Sequence, residues 1–154
     1  MKNSLISAAS AVCASLALTA FTASAQTTYT ITDLGTLGAD ASFATGVNAS
    51  GQVAGYSASS TNTARAWRYT PGVGLEDLGS FDGVDNRAFG INNAGQVTGY
   101  STDTNGVAYG FVFSAGTLTD IGGFGGGADA FPQHINSAGK IAGFSSASVS
   151  ASVR

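Results

Sequence analysis

GVNASGQVAGYS at residues 46–57 returns as GINNAGQVTGYS at 90–101 and as HINSAGKIAGFS at 134–145. The three stretches superimpose without a gap, each 44 residues after the last, so the chain repeats one unit three times. Every copy holds an asparagine with a glycine three residues on: Asn48 and Gly51, Asn92 and Gly95, Asn136 and Gly139. An asparagine opening a turn can bond its side chain to the backbone two residues later. A glycine at the fourth position accepts the positive φ of a type I turn with a G1 bulge. The stretch therefore reads as a hairpin. A ligand-binding row of asparagines is the other reading, but turn chemistry accounts for them without a ligand.

Outward from the hairpin lies a second block, TDLGTL at 32–37, EDLGSF at 76–81 and TDIGGF at 119–124, with one residue inserted in the third copy before Ile135. Period-two alternation predicts four strands per unit. The first is Tyr29 to Leu34. The second is Ser42 to Val47, matched by Asn86 to Ile91. The third is Gln52 to Ser57, matched by Gln96 to Ser101 and Lys140 to Ser145. The fourth is Ala64 to Tyr69, matched by Ala108 to Phe113. Trp67 and Phe111 keep the period, and with Tyr69 and Phe113 they read as packing residues rather than a sugar platform. Gly55, Gly99 and Gly143 are expected to remove bulk where another sheet comes close.

These features predict an all-β chain of tandem 44-residue, four-stranded antiparallel repeats, arranged as incomplete, open β-propeller-like blades. A stacked-sheet β-solenoid is the alternative. The units fall at about 29–72, 73–116 and 117–154, and in the third the aromatic matching Trp67 and Phe111 is due at position 155. Fewer than three blades cannot close a ring, so either self-association or membership of a longer repeat protein is expected.

Residues 1–25 differ from the rest. Lys2 is their only charge, an apolar stretch runs from Ala8 to Phe21, and Ala23-Ser24-Ala25 precede Gln26. This is the pattern of a secretory signal peptide, leaving 26–154 as the β-repeat domain. The stretch is shorter than the ~20 apolar residues a membrane span needs, so no stable membrane insertion is expected after cleavage. The only cysteine, Cys13, lies inside that segment, so the remainder has no disulfide framework. Removing Lys2 takes the formal charge from −3 to −4, which argues against nucleic acid as a partner.

DLGTLG, a variable stretch, a segment of the form GINNAGQVTGYS and then an aromatic strand together resemble the HAF family of bacterial extracellular repeats. The resemblance covers most of residues 30–145. The family takes its name from a His-Ala-Phe in the aromatic strand, where this chain has Arg65-Ala66-Trp67 and Tyr109-Gly110-Phe111. The aromatic is kept and the histidine is not. The resemblance implies a secreted or surface-associated protein and brings no reaction or catalytic residue with it.

No catalytic, cofactor or metal residue is therefore assigned. His134 is the only histidine and occupies the place of Gly46 and Gly90. A hydrolase using it with a nearby acid is the alternative function. Asp33, Asp77 and Asp120 recur where a turn-capping side chain is wanted. Asp82, Asp85 and Asn86, or Asp103 and Asn105, contain oxygen ligands for calcium without EF-hand spacing, so a calcium-stabilised glycan-binding module is a further alternative. The main expectation is a non-catalytic binding or structural module. It would present variable loops at 36–44, 80–88 and 123–133 to an extracellular glycan or protein.

Overall fold

The computed structural model describes residues 28–58, 63–81, 85–123 and 129–146. Residues 1–31 and 32–154 form two separate units. The described part of the first, residues 28–31, contains no strand, and Tyr29 and Ile31 are almost fully exposed. The second unit carries the fold.

It is all-β, with ten strands and no helix among the described residues. They are β1 (Ala41–Val47), β2 (Val53–Ala58), β3 (Ala64–Thr70), β4 (Gly74–Asp77), β5 (Asp85–Ile91), β6 (Val97–Thr102), β7 (Ala108–Ser114), β8 (Thr117–Asp120), β9 (Asp129–Ile135) and β10 (Ile141–Ser146). They form three antiparallel sheets, β1-β2-β3-β4, β5-β6-β7-β8 and β9-β10, and no closed barrel exists among them. Pairings recur one repeat apart: Val53 opposes Tyr69 as Val97 opposes Phe113, and Gly55 opposes Trp67 as Gly99 opposes Phe111.

The expected second, third and fourth strands form, within a residue at their ends. The expected first strand, Tyr29 to Leu34, does not. Its counterparts are β4 and β8, which pair with β3 and β7 and so close the sheet of the preceding repeat. A four-residue strand persists only against a neighbour's hydrogen-bonding edge. β3 and β7 pair with residues 74–77 and 117–120, and no described strand pairs with 29–34. The sheets accordingly run from Ala41 to Asp77 and from Asp85 to Asp120, offset from the sequence frame of 29–72 and 73–116.

Each first strand carries a β-bulge, at Thr45, Phe89 and Gln133, where the register slips against the second strand. The bulge corrects the reason for the third-strand glycines. A Cβ on Gly55, Gly99 or Gly143 would collide with the carbonyl of Phe43, Arg87 or Phe131, on the neighbouring strand of the same sheet. It is the bulged strand, not another sheet, that comes too close.

The core lies between sheets. Ala54, Ala66 and Leu78 of the first pack with Ala88, Val97, Phe111 and Phe113 of the second. Small residues on one face thus receive large rings from the next, as dense packing requires. Gly110 repeats the device against β9, since a Cβ there would lie 2.9 Å from Pro132. Proline is tolerated in β9 because the strand is at a sheet edge.

Candidate functional site

The repeated asparagines occupy the β1–β2, β5–β6 and β9–β10 turns. Asn48 Oδ1 accepts hydrogen bonds from the Ser50 and Gln52 amides at 3.1 and 2.9 Å, while the Gly51 amide donates to the Asn48 carbonyl at 3.0 Å. Gly51, Gly95 and Gly139 have φ of 77°, 76° and 74°. The turn chemistry expected from the sequence is therefore present. A second role was not legible there. Asn48 Nδ2 donates to the Asn92 carbonyl at 2.9 Å, and Asn92 Nδ2 donates to the Asn136 carbonyl at 3.0 Å. Each turn is tied to the turn one repeat on. Asn48 Nδ2 also bonds Gln52 Oε1, and Asn92 Nδ2 bonds Gln96 Oε1, both at 2.8 Å. The polar atoms of Asn48 and Asn92 are occupied within the protein, so these residues are connectors rather than a ligand row.

A second connection is aromatic. Phe43 stacks on Tyr56 at 5.0 Å between centroids, and Tyr56 meets Phe89 at 6.3 Å. Phe89 stacks on Tyr100 at 5.7 Å, Tyr100 meets Phe131 at 5.0 Å, and Phe131 stacks on Phe144 at 4.8 Å. Six rings thus run through all three sheets. Arg87 joins them, with its guanidinium 5.2 Å from the Tyr56 ring and its charge paired to Asp85 at 3.0 Å. Sequence reading missed this row. Phe43 and Phe131 share a repeat position, but Arg87 stands there in the second copy, and Phe89 sits at the bulge instead. Inner ring faces cover one another, leaving the ends, Phe43 and Phe144, at 47% and 61% exposure.

Trp67 and Phe111 are 1% and 0% exposed, so they are core and cannot stack on a sugar. Asp33, Asp77 and Asp120 each accept a bond from the glycine amide two residues on, at 2.9, 3.0 and 2.7 Å, which is the expected turn-capping role. Asp85 caps the Ala64 amide across sheets at 2.8 Å, as Asp129 caps the Ala108 amide at 2.9 Å. Asp82 lies outside the described residues. Asp103 and Asn105 belong to the β6–β7 turn, where Asp103 Oδ1 accepts from the Asn105 and Val107 amides, both at 2.9 Å. The Val107 amide, desolvation notwithstanding, and then the amide and side chain of Asn105 hold the Asp103 carboxyl below its usual range. Among the described residues no group of three or more histidine, cysteine or acidic side chains gathers in metal-binding fashion.

His134 stands on an exposed position of β9, opposite Ala142, and its imidazole has no hydrogen bond or ion pair among the described residues. The display loops narrow, because residues 41–44, 85–88 and 129–133 belong to β1, β5 and β9. Of two concavities among the described residues, one of about 180 Å³ is lined by Arg65 and Asp77, which form an ion pair. The other, about 370 Å³, runs along β10 between Ile121, Pro132, Ile141 and Phe144. The proposed signal peptide lies outside the described residues, among which no helix is long and apolar enough to cross a membrane. Compared with known proteins, the chain matches no family model, no curated protein and no solved structure.

Proposed function

We propose that this chain is an exported, non-catalytic repeat module that binds or scaffolds outside the cell, built from propeller-like blades in an open array. The observation that carries this reading is the use of the repeated polar side chains. Asn48 and Asn92 link one turn to the next, and Asp85 and Asp129 link one sheet to the next. The repeated residues are spent on holding units together, which leaves variation, and with it recognition, to the loops. A blade-like fan is supported by the contacts. β1, β5 and β9 adjoin in succession, and no comparable contact joins β4 to β8, so the sheets converge at their first strands. The extracellular part of the proposal rests on residues 1–25 and on the HAF-like motifs.

The test is a screen of purified protein against glycoside, ester and peptide substrates, run beside a glycan array and with His134→Ala as control. Binding without turnover is expected. Turnover abolished by His134→Ala would overturn the reading in favour of a hydrolase, and calcium-dependent glycan binding would favour a calcium-stabilised module. Export is checked separately by N-terminal sequencing of secreted protein, which should begin at Gln26.

A further inference from the structure

The sheet edges are protected unevenly. β4 and β8 are four residues long and end in Asp77 and Asp120, while β1, β5 and β9 carry bulges. Short length, charge and bulges all discourage a stray strand from pairing. β10 has none of these. It is six residues, Ile141-Ala142-Gly143-Phe144-Ser145-Ser146, with no charge, no proline and no bulge of its own. Its counterparts β2 and β6 are paired on both sides, whereas among the described residues β10 is paired only to β9. The groove of about 370 Å³ lies along it, and Phe144, its largest side chain, is 61% exposed.

We propose that the free edge of β10 docks β10 of a second copy of this chain, antiparallel about a two-fold axis. The two sheets then join as one four-stranded sheet, β9-β10-β10-β9. Such an interface is self-complementary, as two-fold symmetry demands. Pairing centred between Gly143 and Phe144 sets Ile141 opposite Ser146 of the partner subunit. The charges agree with that direction. Lys140 precedes β10 at one end, and Asp129 pairs with Ser146 at the other, its Oδ2 accepting the Ser146 hydroxyl at 3.0 Å. Antiparallel pairing brings each Lys140 toward the acidic end of the other copy. A parallel arrangement would put the two lysines together. The inference does not depend on the proposed function, since an enzyme could use the same edge.

Sedimentation of the full chain over a concentration series tests it. A monomer–dimer equilibrium is expected. Lys140→Glu, at an exposed position outside the strand, should raise the dimer dissociation constant about tenfold, because the like-charge contact occurs twice per dimer. Adding Ser146→Lys to that variant should restore the dimer, which only the antiparallel register predicts. A chain that stays monomeric, a dimer indifferent to Lys140→Glu, or a failure of the double variant to restore it would overturn the proposal. A synthetic peptide of residues 108–114, the sequence of β7, serves as a second probe. Competition of the peptide with dimerisation supports β10 as the shared edge. Binding of the peptide to a persistently monomeric chain would assign the edge to a third strand of the repeat instead.

Discussion

Asn92 makes two kinds of bond that a substitution can separate. Its Oδ1 accepts the Ala94 and Gln96 amides, both at 3.0 Å, to shape its own turn, and its Nδ2 reaches the Asn136 carbonyl. Asn92→Asp keeps the acceptor and removes the donor, placing a carboxylate against two acceptor oxygens at a position 4% exposed. A loss of about 2–3 kcal/mol is expected in chemical denaturation. Asn136→Asp makes the same change where the side chain is exposed and Nδ2 has no partner among the described residues, so less than about 0.5 kcal/mol should be lost. Equal costs would mean that the bond between repeats contributes nothing.

Asp103 supplies a pH dependence at the same scale. Its folded-state pKa is lowered, first by the Val107 amide, so the unfolded chain binds its proton more readily than the folded one. The resulting stabilisation is present above the unfolded carboxyl value, about pH 4, and is lost as pH falls through the lower folded value. Denaturation midpoints measured between pH 7 and pH 2 should therefore decline on the acid side. Asp103→Asn, which keeps the turn acceptor without a titrating group, should flatten that decline. An unaltered acid limb would show that Asp103 carries no part of it.

Among elements, the bulged first strand and the glycine opposite it act as one device. A Cβ on Gly99 would lie 2.8 Å from Ala88 Cα as well as against the Arg87 carbonyl, both backbone groups that cannot move without unpairing β5 from β6. Gly99→Ala is expected to cost about 3 kcal/mol. Gly116, in the β7–β8 turn, has open space around its Cβ position but a φ of 78°. Gly116→Ala should cost only about 1 kcal/mol, from backbone strain alone. Thermal melts of the two variants compare a glycine required by crowding with one required by conformation, and the reverse order would count against the bulge. The sequence showed Gly99 recurring with its strand, as Gly55 and Gly143 do. It did not show the bulge, because the extra residue is Thr45, Phe89 or Gln133, three side chains with nothing in common.

At the scale of the whole molecule, the middle sheet is the one with neighbours on both sides. β5 packs on β2 and β3, while β9 packs on β6 and β7. Buried residues are dense in β6 and β7 and sparse in β10, where four of six positions are exposed. Opening free energy follows the apolar contacts that must be broken. Amide hydrogen exchange at low concentration should therefore be slowest in β6 and β7 and fastest in β10. Protection spread evenly over all three sheets would contradict this order. Protection of β10 that rises with protein concentration would carry the mark of the edge pairing inferred above.

The repeat, the all-β character, the hairpin turns and the places of seven of the strands were determined by the sequence alone, because they rest on short-range physics. An asparagine bonding the backbone two and four residues on, a glycine at positive φ and side chains alternating across a pleat all act within a few residues. Only the tertiary structure decided which sheet the recurring acidic block joins, since Thr30 to Leu34 and Gly74 to Leu78 are similar in sequence and differ in having β3 to pair with. It also decided that the asparagines reach the next repeat and that Phe43, Tyr56, Phe89, Tyr100, Phe131 and Phe144 form one row. Those contacts join separate sheets. Their partners are chosen by how the sheets pack, and no local pattern in the chain records that choice.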